Sequence, residues 1–133
     1  MKLQLFERIQ ICLILPDPSK ESFLKYKVLK DIILKLYPSE EENELYEIKT
    51  ENITNKEGIN NISFNWNEKG ANTEFIYDFS IHEIKYLKDL FIKLIKQDVL
   101  PPQLNDLCET RFNIDAIEIL NEIEQTQQEQ TES

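Results

Sequence analysis

The spacing of apolar residues predicts a first amphipathic helix at residues 3–15 and two long amphipathic helices at residues 20–37 and 81–97. In each helix, apolar side chains recur every three or four positions, which places them on one face. A proline follows each of the first two helices and cannot continue them. The predicted inward face of the second helix consists of Leu24, Val28, Leu29, Ile32, Ile33 and Leu36. That of the third helix consists of Ile84, Leu87, Leu90, Phe91, Leu94 and Ile95.

The apolar run Ile11–Leu15 leaves two interpretations open. Because it has no polar side, it fits either the fully buried end of the first helix or a short strand. The buried helical end is the preferred prediction.

Two capping boxes mark helix starts. Ser39 pairs with Glu42, and Ser80 pairs with Glu83, in the Ser-x-x-Glu spacing that satisfies two backbone N–H groups reciprocally. A short helix is therefore predicted from Ser39 to about Glu44. Glu40 and Glu41 fall in its first turn, where the helix dipole favours negative charge. The acidic cluster Glu40, Glu41 and Glu42 therefore has a structural explanation that requires no ligand.

Strand-like alternation fills three stretches between the two long helices, from near Leu45 to Glu51, at residues 61–67 and at residues 73–79. The only two glycines close the connections between them, in Asn55-Lys56-Glu57-Gly58 and Asn67-Glu68-Lys69-Gly70. Asn at the first position and Gly at the fourth are preferred in a type I turn. We therefore predict a three-stranded antiparallel β-meander.

The second and third predicted strands place aromatic residues on one face and mainly polar residues on the other. This pattern is typical of an antiparallel sheet covered on a single side. The aromatic residues are Phe64, Trp66, Phe75, Tyr77 and Phe79. A stacking platform for single-stranded nucleic acid would need a positive groove, whereas residues 38–78 carry a net charge of −7. Packing of this face beneath the two long helices is the favoured interpretation.

The C-terminal part follows Pro101 and Pro102, with a short helix predicted at residues 103–112. A terminal amphipathic helix is predicted at residues 114–124, and its narrow apolar stripe consists of Ile114, Ile117, Leu120 and Ile123. This stripe either docks on its own domain or pairs with a partner chain. Residues 125–133 are polar and glutamine-rich, so we expect them to be disordered.

These elements predict a single α+β domain at residues 1–124. In it, a three-stranded antiparallel β-meander packs one face on two long helices, with short flanking helices. The 133 residues are 41% hydrophobic and 30% charged, as in an ordinary globular domain that needs no disulfide or metal.

Charge is unevenly divided along the chain, whose net charge is −10. Residues 38–78 and 99–133 each carry −7, whereas residues 1–37 carry +3 and residues 79–98 carry +1. An acidic surface repels nucleic acid phosphates and anionic lipid, so we expect neither direct nucleic acid binding nor membrane binding. Such a surface either serves only to keep the protein soluble or attracts a basic surface on a protein partner.

The chain offers little for catalysis or metal binding. His82 is the only histidine, and the local sequence supplies no third group to orient it against a nucleophile. Cys12 and Cys108 lie in apolar helical contexts, no export signal precedes them, and we expect free thiols in a reducing cytoplasm. One histidine and two separated cysteines do not make a zinc set, and no calcium loop is present in the sequence. We therefore expect no enzyme activity, no cofactor and no metal.

Several stretches carry a resemblance in their order along the chain. They are Leu15-Pro16, Leu36-Tyr37-Pro38-Ser39-Glu40-Glu41-Glu42, Tyr46-Glu47-Ile48-Lys49, Ile62-Ser63-Phe64-Asn65-Trp66-Asn67 with Lys69-Gly70, Leu87-Lys88 and Lys93-Leu94. In this order the chain resembles small uncharacterised proteins of bacteriophages and prophages, over about residues 3–112. The resemblance implies a phage or mobile-element origin, no assigned activity and no functional residues to carry over. The tail after Phe112 departs from the pattern.

Together these observations favour a small acidic, non-enzymatic protein, located in the host cytoplasm or in a virion, that acts by protein–protein interaction. Its predicted partner-binding residues are the acidic cluster Glu40, Glu41 and Glu42 and the terminal stripe Ile114, Ile117, Leu120 and Ile123. The terminal helix could also form a homo-oligomer. The alternatives are a minor structural or assembly component of a virion, and a nucleic acid charge mimic that inhibits a DNA-binding protein.

Overall fold

The computed structural model describes residues 1–54, 56–58 and 60–131, which form a mixed α and β structure. Its helices are α1 Leu5–Ile14, α2 Phe23–Leu36, α3 Glu40–Leu45, α4 Glu68–Asn72, α5 Ile81–Lys96, α6 Asn105–Thr110 and α7 Ala116–Thr131. Its strands are β1 Lys2–Gln4, β2 Lys49–Thr54, β3 Asn60–Asn65 and β4 Glu74–Ile76. Short 3₁₀ turns lie at Pro18–Lys20 and Pro102–Leu104.

The long helices and both predicted capping boxes are confirmed. Ser39 and Ser80 each accept a hydrogen bond from the backbone N–H three residues on, and Glu42 and Glu83 each accept one in return. The ambiguous run Ile11–Leu15 is helical as far as Ile14, but the predicted full burial is wrong: Ile11 is fully buried, whereas Leu13 is 51% exposed. Leu24 is the exception to the predicted inward faces, since 76% of its surface is exposed.

The predicted three-stranded meander is wrong. The strands form two separate antiparallel pairs, β2 with β3 and β1 with β4. In the first pair Lys49 lies opposite Asn65 and Thr54 opposite Asn60. The predicted first hairpin is present, but its first strand begins at Lys49 and not near Leu45, which ends α3. Of its predicted turn, Lys56–Gly58 is described, with Gly58 at φ +80°, and Asn55 lies outside the described residues. The third predicted strand pairs with the N-terminus, through Leu3 opposite Phe75.

The second predicted turn is the first turn of α4. The Asn67 side chain accepts a hydrogen bond from Gly70 N at 2.9 Å, which caps the helix. Asn followed three residues later by Gly fits both a type I turn and a helix N-cap, because both use the same side-chain to backbone bond. Gly70 is buried, and a Cβ there would lie 3.0 Å from Leu5 Cδ2 and 3.1 Å from Tyr46 Cβ. Close packing therefore explains this glycine.

Strand β1 escaped prediction because three residues are too few for an alternating pattern, and Leu3 also fits the helical stripe of α1. Its pairing joins residues 70 or more positions apart, and Tyr77 N also donates a hydrogen bond of 2.8 Å to Met1 O. No local pattern specifies such a non-local contact.

The main core lies between α1, α2, α5 and the C-terminal helices. Its fully buried members are Leu3, Ile11, Ile32, Leu36, Leu87, Phe91, Leu104 and Leu107. A smaller cluster of Leu5, Ile9 and Tyr46 packs beneath the β2–β3 hairpin. The partly buried rings of Phe64, Trp66 and Phe75 pack against this cluster. The predicted packing of the whole aromatic face beneath the two long helices is therefore wrong: Tyr77 and Phe79 pack on the main core, whereas the other three aromatic residues pack on the smaller cluster.

Helix α7 begins at Ala116 and extends beyond the predicted end at residue 124, through Gln125 to Thr131, where the sequence predicts disorder. Glutamine and glutamate have good helix propensity, so a helix held by tertiary contacts at its start can propagate into such a segment. Glu132 and Ser133 lie outside the described residues.

Candidate docking groove

An apolar groove of about 420 Å³ separates α1 from the β2–β3 hairpin. Its size falls within the range of about 300–1,000 Å³ that is usual for binding pockets. The lining residues are Ile9, Cys12, Leu13, Tyr37, Pro38, Asn43, Ile48, Thr50 and Phe64. Seven of these nine side chains are apolar or aromatic, so the groove is suited to apolar side chains of a ligand.

The groove has a buried floor and exposed walls. Ile9 is 4% exposed, whereas Leu13 is 51% and Tyr37 is 66% exposed. Thr50 and Phe64 are opposite each other in the hairpin ladder, so both project from the same face of the sheet toward the groove. Large apolar side chains left open around a concavity are a feature of interaction sites.

An acidic segment borders one side of the groove. Residues 39–51 contain six glutamates and one lysine, and within this segment Asn43, Ile48 and Thr50 line the groove. Glu40 precedes Asn43 by three residues on α3, so the two side chains share a helical face. Within the part of the chain that the structure describes, Glu40, Glu41, Glu44 and Glu47 have no salt bridge.

Buried Arg8 holds the walls of the groove together. Its Nε donates to Leu36 O at the end of α2 (3.2 Å), and its two terminal nitrogens donate to the Glu42 carboxylate of α3 (2.6 and 3.1 Å). The guanidinium carbon also lies 4.5 Å from the centre of the Phe75 ring. One side chain of α1 therefore fixes both neighbouring segments that line the groove, and planar bidentate pairing of this kind favours arginine.

The predicted acidic cluster is thus divided in role. The hydrogen bond from Arg8 lowers the pKa of Glu42, and the capping bond from Ser39 N acts in the same direction. The carboxylate of Glu42 therefore stabilises the fold. Glu40 and Glu41 are exposed and form no ion pair among the described residues, so their charge faces solvent, and Glu40 lies on the same helical face as the groove residue Asn43.

Cys12 in the groove wall is a poor nucleophile. Burial raises its pKa to about 11, although nearby Arg8 opposes the shift. Since the thiolate is the reactive form, the side chain behaves at neutral pH as a small apolar group. Burial likewise raises the pKa of Cys108 to about 11.

The second predicted binding surface, on the terminal helix, is also divided. Ile114 is buried before the helix starts, and Ile123 packs on the main core. Ile117 and Leu120 are 69% and 57% exposed. The predicted stripe omits Ile119, which is 6% exposed and forms the inward face together with Ile123 one turn later. The spacing of four between these two residues was the available signal.

A wider cavity of about 730 Å³ lies between the start of α7 and α6. Its wall includes Ile114, Ile117 and Cys108, together with the acidic residues Glu109 and Asp115. Asp115 already accepts bonds from the backbone N–H groups of Ile117 and Glu118, which caps α7.

His82 is exposed in the first turn of α5. Among the residues that the structure describes, no group of three or more His, Cys, Asp or Glu side chains is arranged to hold a metal ion. Within the same residues, no helix combines the length and apolar character needed to cross a membrane.

Comparison of the chain with protein-family models, with curated proteins and with solved structures finds no match in any of the three. The site must therefore be interpreted from its own geometry.

Proposed function

We propose that this protein is a small acidic, non-enzymatic interaction protein whose groove between α1 and the β2–β3 hairpin binds a basic, apolar segment of a partner protein. The observation that carries the proposal is the combination of an apolar groove with a row of uncompensated glutamates beside it. An apolar floor favours burial of ligand side chains, and the adjacent carboxylates favour lysine or arginine in the same ligand.

The groove is a better docking candidate than the terminal helix. Its walls are held by the buried Arg8 network, so little ordering is needed on binding. On α7, the outward apolar surface of the predicted stripe is reduced to Ile117 and Leu120. Residues 116–131 carry four glutamates and no basic residue, so pairing of two such helices would bring like charges together.

A phage accessory or host-takeover role, with a host cytoplasmic or virion location, is the biological setting that the sequence resemblance suggests. A basic segment of a host or phage protein is the corresponding ligand.

The proposal can be tested with a fluorescently labelled short synthetic peptide of alternating lysine and leucine, measured by fluorescence anisotropy. We expect saturable binding to the whole chain, weakened about tenfold by Leu13→Asn with Tyr37→Ser, which removes two groove walls. A peptide with serine in place of leucine should bind much more weakly, since it retains only the charge.

The rim is tested with two variants of identical net charge. Glu40→Gln with Glu41→Gln removes two charges beside the groove, and Glu118→Gln with Glu124→Gln removes two charges on α7. We expect the first pair to weaken binding about threefold to tenfold and the second to change it less than about twofold. Equal effects of the two pairs would mean that net charge alone attracts the peptide, and the proposed site would be wrong.

A further inference from the structure

A second feature of the surface complements the groove. Phe23 and Leu24 open helix α2 side by side, and they are 73% and 76% exposed. Leu24 belongs to the stripe that the sequence assigns to the core, so its exposure departs from that pattern. We call these two residues the apolar corner.

Lysines surround the apolar corner. Residues 18–30 contain Lys20, Lys25, Lys27 and Lys30 and a single acid, Glu21. Glu21 accepts a hydrogen bond from the Tyr86 hydroxyl at 3.3 Å. Lys20, Lys25 and Lys27 are exposed and have no salt bridge among the described residues.

The corner is presented by a defined turn. Asp17 accepts hydrogen bonds from Ser19 N (3.0 Å) and Ser19 Oγ (2.8 Å), which closes the 3₁₀ turn before α2. The chain then enters the helix at Ser22. A segment held in one conformation loses little entropy on binding.

The apolar corner therefore has the properties of the ligand proposed for the groove, since its two exposed apolar side chains are surrounded by lysines. We propose that the apolar corner of one copy of this chain docks in the groove of a second copy. This inference rests on the proposed function of the groove and names a specific ligand for it. A second copy bound in the groove would block it until a competing partner displaces that copy.

The contact must join two copies. Helix α2 has 14 residues and therefore spans about 20 Å, and its far end is followed at once by the groove residues Tyr37 and Pro38. Within one rigid chain, the corner lies too far from its own groove to fill it.

Net repulsion between copies does not oppose this contact at ordinary ionic strength. Each chain carries −10, but charges further apart than about 8–10 Å are largely screened near 0.1–0.15 M salt. Lysines and glutamates that meet across the contact are closer than that. Local charge complementarity therefore outweighs the net charge of the two chains.

Sedimentation equilibrium of the whole chain between about 10 μM and 1 mM tests the inference, since weak contacts dissociate in this range. We expect concentration-dependent association. The corner variant, Phe23→Ser with Leu24→Ser, and the groove variant, Leu13→Asn with Tyr37→Ser, should each raise the dissociation constant at least about tenfold. Ile81→Ser, which alters an 85% exposed residue outside both surfaces, should leave it unchanged.

A mixture of the two variants gives the sharpest outcome. The corner variant keeps an intact groove and the groove variant keeps an intact corner, so an equal mixture should associate more tightly than either variant does alone. A monomeric wild-type chain over the whole range would overturn the inference, and so would association that the two variants leave intact or a mixture that associates no more tightly than either variant. If the lysine–leucine peptide still binds in the groove while the chain stays monomeric, the second-copy ligand fails and the proposed function stands.

Discussion

The helical body and the groove side of this molecule use charge in opposite ways. In the body, Glu7 is bound by Arg111, whose Nη1 lies 2.7 Å from Glu7 Oε1, and Glu83 is bound by Lys35 at 2.6 Å. Glu7 and Glu83 are both buried, with 2% and 5% of the residue surface exposed. On the groove side, Glu40 and Glu41 are exposed and unpaired within the described chain.

This contrast separates charges that maintain the fold from charges that are available to a ligand. A buried charge must be paired, since leaving it unpaired costs several kcal/mol. An exposed carboxylate contributes little to stability, so its position is free to serve recognition. Arg8 joins the two regions because it is buried in α1 and binds Glu42 at the edge of the acidic segment.

The largest effect should come from the core of the body. Phe91 is fully buried and stacks edge-on against Phe112, so Phe91→Ala should lower the free energy of unfolding by about 4 kcal/mol. Phe64 in the groove is half-buried, and Phe64→Ala should cost about 2 kcal/mol or less. Urea unfolding measures both values. Equal losses would show that the groove wall is as tightly packed as the core.

The next largest loss of stability should come from removing a buried ion pair, in contrast to an exposed one. Arg8→Ala should cost about 3 kcal/mol, since it removes a 2% exposed charge with all its contacts and detaches α3 from α1. Lys96→Ala is the matched control, because its pair with Glu122 is 42% and 51% exposed, and it should change stability by less than about 0.5 kcal/mol. A similar cost for both variants in urea unfolding would remove the distinction between structural and surface charges.

A smaller effect is expected from pH. The Arg8 hydrogen bond lowers the pKa of Glu42 in the folded chain, so its contribution is present above the ordinary value of 4.5 and is lost as pH falls through the lowered value. Burial opposes the shift at Glu83, but the bond from Lys35 lowers its pKa overall, with the same consequence. The urea concentration at the unfolding midpoint should therefore decrease as the pH is lowered from 7 to 3.

Glu42→Gln sharpens this pH test because it keeps the side-chain shape and removes the titrating group. Its urea midpoint should depend less on pH than that of the wild-type chain over the same interval. An unchanged pH dependence would show that the Arg8–Glu42 pair is not coupled to folding.

The smallest effect on stability should come from the groove itself. Leu13 is half exposed, so Leu13→Asn should change the free energy of unfolding by no more than about 0.5 kcal/mol. Peptide binding in the anisotropy assay should nevertheless weaken clearly. A large loss of stability would place Leu13 in the core and not in a docking surface.

Local sequence signals predicted much of this fold correctly. The capping boxes at Ser39 and Ser80 and the stripe of α5 were predictable because each depends on neighbours within one or two helical turns. The pairing of β1 with β4 was not, because its specificity lies in contacts far apart in sequence. Asn67 was misinterpreted because its side chain makes the same local bond in a turn and in a helix cap.

The candidate site was only partly predictable. The acidic cluster was visible in the sequence, but the structure was needed to show that Glu42 is committed to Arg8, a residue 34 positions away. The groove walls Leu13 and Tyr37 belong to α1 and to the residue after α2, and nothing in the local pattern brings them together. The exposure of Leu24 was not predicted, because its spacing along α2 is that of a core residue.

The most direct test of the docking groove is a backbone and methyl NMR titration of the isotope-labelled chain with the lysine–leucine peptide, at a protein concentration low enough to keep the chain monomeric. Binding in the groove should produce saturable shift changes concentrated at Ile9, Leu13, Ile48 and Thr50 and at the backbone of Glu40 and Glu41, with α7 unaffected. Changes centred on Ile117 and Leu120, or spread evenly over the acidic residues without the groove methyl groups, would contradict it.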